Sequence, residues 1–232
     1  VVLLGAEALE SIGIRDLAID LNMPTLAPTI LKGFGVAETG SLIAALDRKD
    51  ISAVRRAPAA AVPVLEGLLR AVGPADGAIE ALDALPLAGE AAQQRDRLRA
   101  VLRAVRAARP DLTLTVDPTD HRGFEYHTGL TFSLLGRKVR GEFGRGGRYV
   151  NQAGEAATGF TLYLDTLLRA LPAPAATARV FVPADATPGA AQRLRAEGWT
   201  TVHGIETGDA RQEAKRLGCS HVLADGKPLA LG

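Results

Sequence analysis

The spacing of apolar positions along this chain changes several times, and each change marks an element. Leu3, Leu4, Ala8, Leu9 and Ile12 recur at helical spacing and Gly13 follows as a stop, so a first helix is predicted there. Leu17-Ala18-Ile19-Asp20-Leu21-Asn22 alternates as a strand does, and Met23-Pro24 breaks it. Short helices are expected from there to about Arg56, with Leu42, Ile43 and Leu46 as an apolar stripe. Residues 58–110 are rich in Ala, Leu and Arg and read as helices broken at Gly73-Pro74 and at Pro86. The last of these helices carries the clearest signal. Leu98, Val101, Leu102 and Val105 stand at i, i+3, i+4 and i+7, arginines 95, 99, 103 and 106 cover the remaining surface, and Pro110 ends it.

From Leu112 to Leu171 the period becomes that of strands. Residues 112–116, 124–135, 137–143 and 158–163 are expected to form an antiparallel set, with Gly136-Arg137 and Gly144 through Gly147 as turns, and a helix over 165–171. Residues 171–176, rich in proline and alanine, read as a linker. Beyond it, strands at 179–182, 200–203 and 221–223 alternate with helices at 190–197 and 210–217, the pattern of a small α/β module with a largely parallel sheet. The expected architecture is therefore α+β: a core over residues 1–171, with a helical insertion at about 58–110, and a smaller module over 178–232.

Composition narrows the functional classes. Hydrophobic residues make up 47% of the 232 residues and aromatics only 4%, so a sizeable core must be built mainly from Leu, Val and Ala. With 27 basic and 26 acidic residues, the charge balance argues against non-specific binding of nucleic acid, and the arginine-rich helix reads as a solvated face. No apolar run approaches the ~20 residues needed to span a bilayer. Cys219, the single cysteine, excludes an internal disulfide and a cysteine-rich zinc site, reads as a small core residue, and makes a reducing cytoplasm the simplest setting. His121, His127, His203 and His221 lack metal-ligand spacing, so no metal and no cofactor is expected. The chain starts at Val1 with no Met, and reads as a piece of a longer protein.

One block carries chemistry. Arg122-Gly123-Phe124-Glu125-Tyr126-His127-Thr128-Gly129 places a cation, an acid and aromatics along one segment. Gly146-Gly147-Arg148-Tyr149 adds glycines, a second cation and another tyrosine. Arginine suits a carboxylate or phosphate, and glycine lets a ligand approach the backbone. The block reads either as a site for a small zwitterion or as a surface hairpin with an ordinary glycine turn. Asp117, Asp120 and Glu125 are placed at strand ends and turns, and Glu142 is expected to face a basic residue across the hairpin.

Taken together the motifs resemble the histidyl-tRNA synthetase family. Residues 122–129 resemble its signature R-G-L-D-Y-Y-T-G, residues 146–149 its G-G-R-Y-D, residues 158–167 its third class II motif, and residues 45–50 its leucine-aspartate-lysine segment. The resemblance covers roughly residues 1–171 and implies a class II synthetase-like antiparallel sheet with flanking helices. It places the family's first two motifs ahead of Val1 and makes residues 178–232 a shortened anticodon-domain-like remnant. It implies a histidine pocket from Arg122, Glu125, Tyr126, His127, Gly147, Arg148 and Tyr149. The chain departs from the family where ATP is held: the third motif's Gly-Leu-Glu-Arg-Leu is Tyr163-Leu164-Asp165-Thr166-Leu167 here. Tyr163, Asp165 and Thr166 thus mark a degenerate ATP site, and no catalytic residue is expected.

A non-catalytic branch with these features is the group of regulatory subunits of short-form ATP phosphoribosyltransferase, and the chain is similar to it in His127-Thr128-Gly129 and Ala157-Thr158-Gly159-Phe160. The implied partners are the catalytic subunit, histidine as effector, and a second copy in a homodimer within a larger hetero-oligomer. A divergent synthetase fragment and a non-catalytic RNA-binding module are the alternatives.

Overall fold

The computed structural model describes residues 1–121, 126–136, 139–173 and 177–231. The chain divides into two compact units, Val1–Pro172 and Ala173–Gly232.

The first unit is a six-stranded sheet with its helices packed on one face. In chain order come α1 (Val2–Ser11), β1 (Leu17–Asn22), α2 (Leu26–Gly33), α3 (Gly40–Asp47), α4 (Ile51–Val54), α5 (Val62–Arg70), the two-residue β2 (Gly73–Pro74), α6 (Ala75–Asp83) and α7 (Gly89–Ala108). There follow β3 (Thr113–Val116), β4 (His127–Gly136), β5 (Glu142–Val150), β6 (Ala156–Leu162) and α8 (Leu164–Ala170). The sheet order is β2-β3-β1-β4-β5-β6. Only β1 and β3 run parallel; the other pairs are antiparallel.

Strand alternation sorts the side chains. Ile19, Leu21, Leu114, Val116, Phe132 and Leu134 are buried in the core with the apolar stripes of the helices. Leu98, Leu102 and Val105 of α7 belong to that core, and Val101 packs against it, as the spacing predicts. Three of the arginines on the rest of α7 are engaged with carboxylates: Arg95 and Arg99 with Asp83 and Asp96, and Arg106 with Asp76.

The opposite face of the sheet is polar. Register aligns Thr115, Asp20, Ser133, Arg145 and Thr161 in one row across five strands. Asn22, Thr131, Gly147 and Gly159 form the next row. A register shift between His127 and Thr131 inserts extra residues into β4 beside the second row.

Two expectations fail in the hairpin. Gly144 through Gly147 do not form a turn; they lie inside β5. Glycine serves close approach there: a Cβ on Gly144 would stand 2.3 Å from the Thr161 carbonyl oxygen, and one on Gly146 2.3 Å from that of Gly159. The strand expected at 137–143 accordingly starts at Glu142 and runs to Val150, while β6 begins at Ala156 rather than Thr158. Glu142 does face a basic residue, but it is Arg145 of its own strand, while Ser133 supplies the contact across the hairpin.

The second unit has β7 (Arg179–Val182), α9 (Ala190–Ala196), β8 (Thr200–His203), α10 (Ala210–Arg216), β9 (His221–Ala224) and β10 (Lys227–Ala230), with sheet order β10-β9-β7-β8. β7 pairs in parallel with β8 and with β9. β10 was not expected from sequence. It is the antiparallel edge strand, which explains why Pro228 is tolerated in it. Cys219 is buried against Phe181, Ala214 and Val222.

Candidate functional site

The polar face of the first sheet gathers part of the predicted constellation. His127 and Tyr149 are register partners on β4 and β5. The Tyr126 ring lies 3.9 Å from that of His127 and meets Tyr149 edge-on at 6.0 Å. Tyr126 is exposed while His127 is buried, so an aromatic wall runs from solvent down to the sheet. At its foot the sequence needs glycine. A Cβ on Gly147 would stand 2.6 Å from the His127 ring carbon Cδ2 and 2.8 Å from the backbone oxygen of Leu130. The Tyr149 hydroxyl stands 3.6 Å from where a Cβ of Gly159 would be.

Not every predicted residue joins this wall. Arg148 alternates away from Tyr149, is exposed, and lays its aliphatic stem along Gly129, 3.4 Å from the position a Cβ would take there. Arg122 and Glu125 lie outside the described residues. His121 contacts the Pro24 carbonyl oxygen through Nδ1 at 3.2 Å.

The three residues expected to mark a degenerate ATP site, Tyr163, Asp165 and Thr166, stand at the start of α8. Tyr163 is its N-cap, and its backbone N–H donates to the Phe143 carbonyl. Burial raises the Tyr163 phenol above its ordinary range. Asp165 is exposed and pairs with Arg169 one turn on. Thr166 is buried and its hydroxyl accepts from Arg169 Nη2 at 2.9 Å. That position therefore presents a short hydroxyl, already engaged by Arg169.

Sequence reasoning missed the floor of the face. Asp20 accepts a hydrogen bond from Thr115 Oγ1, and burial pushes its carboxyl up to about 6. Arg145 holds Glu142 through two bonds of 2.8 Å, from Nε and Nη2. Asn22 donates its Nδ2 to the Asp120 carbonyl. Lys49 pairs with Asp117 at 2.7 Å and donates to Thr119. Asp117 also accepts from the backbone N–H of Thr119, a turn role. The signal for the floor was present: polar Asp20 and Asn22 alternate with buried Ile19 and Leu21 in β1, so one face of that strand had to be polar. Among the described residues, no three His, Cys, Asp or Glu side chains cluster as metal ligands. Among them, too, no helix is long and apolar enough to cross a membrane.

A helix-backed, mainly antiparallel sheet with a polar outer face and the third-motif strand–helix unit is a class II aminoacyl-tRNA synthetase-like core. The chain belongs to the histidyl-tRNA synthetase family, whose model matches residues 1–167. It is 47% identical over 226 residues to the ATP phosphoribosyltransferase regulatory subunit of Paramagnetospirillum magneticum, a match covering 96% of this chain and 60% of that protein. A second protein of that name, from Rhodospirillum centenum, is 46% identical over 231 residues, covering 98% of this chain and again 60% of the relative. The chain thus spans about 60% of the length of these curated relatives. Among solved structures, an ATP phosphoribosyltransferase regulatory subunit/histidyl-tRNA synthetase from Bacillus halodurans shares the fold with a TM-score of 0.74 at 18% identity, over 96% of this chain and 63% of that one. Histidyl-tRNA synthetase from Nostoc shares it with a TM-score of 0.68 at 20% identity, over 96% and 61%.

Proposed function

We propose that this protein is the non-catalytic regulatory subunit of a short-form ATP phosphoribosyltransferase. It binds the catalytic subunit, is needed for its activity, and passes on feedback inhibition by histidine. It works as a homodimer within a larger hetero-oligomer in the cytoplasm, where the first step of histidine biosynthesis runs. The observation that carries this reading is Thr166: the cation position of the third motif is a buried threonine whose hydroxyl is engaged by Arg169. Losing a pre-placed cation at a triphosphate costs several kcal/mol of transition-state stabilisation, so adenylate formation is disabled. The regulatory-subunit name of the relatives at 46–47% identity supports the same reading. The amino-acid half of the site keeps its aromatic wall, with Tyr126, His127 and Tyr149 over Gly147, and that half takes histidine. Arg122 and Glu125 complete the pocket in this reading, and Arg148 borders it.

Physically the role is a coupling between two sites. Histidine must bind one state of the complex better than the other, and the difference sets the inhibition. Histidine-dependent exchange between ATP and pyrophosphate tests the loss of catalysis directly. The protein is expected to show none above background, and to co-elute with the catalytic subunit on size exclusion. Exchange at synthetase-like rates would overturn the proposal.

A further inference from the structure

The floor beneath the aromatic wall contains two buried polar atoms with no hydrogen-bond partner among the described residues: Asn22 Oδ1 and Thr131 Oγ1. Their residues are 2% and 0% exposed. They are not scattered. Asn22 and Thr131 are register partners on β1 and β4, so their side chains share one face at the short distance of an antiparallel pair. Thr131 is in turn the register partner of Gly147, and its Cγ2 stands 2.7 Å from where a Cβ of Gly147 would be. The His127 ring closes on the same glycine from the other side. The Asn22 amide is fixed by its Nδ2 bond to Asp120, which leaves Oδ1 as an acceptor. Asp20 and Ser133, the next register pair on the same face, extend this polar surface. Leaving such groups unpaired in a folded protein is costly, so an orphan pair at the foot of a candidate site calls for a partner.

We infer that Asn22 and Thr131 form the floor of the ligand site and receive an N–H donor of the effector, an imidazole N–H or a protonated amine. This rests on the proposed histidine-binding role and adds two residues to it. At this pair the floor offers the Asn22 amide oxygen as an acceptor and the Thr131 hydroxyl, able to act either way, which suits an N–H group. Burial of the Asp20 carboxyl, which raises its pKa to about 6, is a further sign of a poorly hydrated floor. The His127 ring and the Thr131 side chain meet over Gly147, which sets the floor directly beside the aromatic wall.

The experiment is calorimetric titration of the full chain with L-histidine, histamine and imidazolepropionate, combined with the melting temperature of the unliganded protein. Thr131→Val keeps the shape and removes the hydroxyl; Thr131→Ser keeps the hydroxyl. The expected result is at least a tenfold loss of histidine affinity in Thr131→Val, near wild-type affinity in Thr131→Ser, and an unliganded melting temperature for Thr131→Val at or above wild type. Loss shared with histamine but not with imidazolepropionate assigns the floor to the amine; loss shared with both assigns it to the imidazole. If Thr131→Val binds histidine normally and melts lower, the hydroxyl serves an internal water and the inference falls while the histidine reading stands. If none of the three ligands binds the wild type, both fall together.

Discussion

Gly147 concentrates the packing of the site into one position, because a methyl group there would meet the His127 ring, the Thr131 methyl and the Leu130 backbone at once. Backbone cannot yield as a flexible side chain can. Gly147→Ala is therefore expected to cost about 2 kcal/mol in chemical denaturation, as overpacking does, and to displace the His127 ring, visible as a shift of its imidazole resonances. Asp20 gives a second prediction at this scale. Its folded-state pKa of about 6 lies above the ordinary 3.8, because burial penalises the charge. Between those values the folded state holds more protons than the unfolded one, so stability falls as pH rises through about 4 to 6. The loss is complete above that window and absent below it. Asp20→Asn keeps an acceptor for Thr115 and should flatten this part of the stability curve, gaining up to about 3 kcal/mol at pH 8.

Among the elements, α7 shows which side chains hold the fold. Leu98 is fully buried, and Leu98→Ala is expected to cost about 3 kcal/mol. Arg99, on the outer side with Asp83 and Asp96, is expected to cost less than about 1 kcal/mol on replacement by Ala. Denaturant titration of the two variants separates the core role from the surface role. This helix was legible in the sequence because one periodicity, Leu98 to Val105, fixed its buried face. The hairpin was less so. Gly144 through Gly147 read as a turn because glycine relieves two constraints that look alike in sequence, positive φ and close approach. Here the second operates, and only the pairing with β6 reveals it. The same dependence on pairing hid the orientation of Arg148. It also hid the meeting of Asn22 with Thr131, which no local pattern could bring together. The strand–helix unit of the third motif was legible too, since its sequence already places a helix just after the strand over 158–163.

At the scale of the whole molecule, the chain keeps a synthetase-type sheet, and the proposed function takes Thr166 to stand where the family holds ATP with a cation. In the proposed function, such a sheet with a polar outer face and no adenylation chemistry binds without turnover. Binding without turnover is what a subunit needs to sense histidine and bias a catalytic partner. The two functions proposed here, activation of that partner and inhibition by histidine, must then appear in one assay. That assay is phosphoribosyl transfer from phosphoribosyl pyrophosphate to ATP by the short-form catalytic subunit, measured alone, with this protein, and with this protein plus histidine. The account predicts a large rise in rate on adding the protein and a fall when histidine follows. A rate indifferent to the protein, with or without histidine, would contradict it.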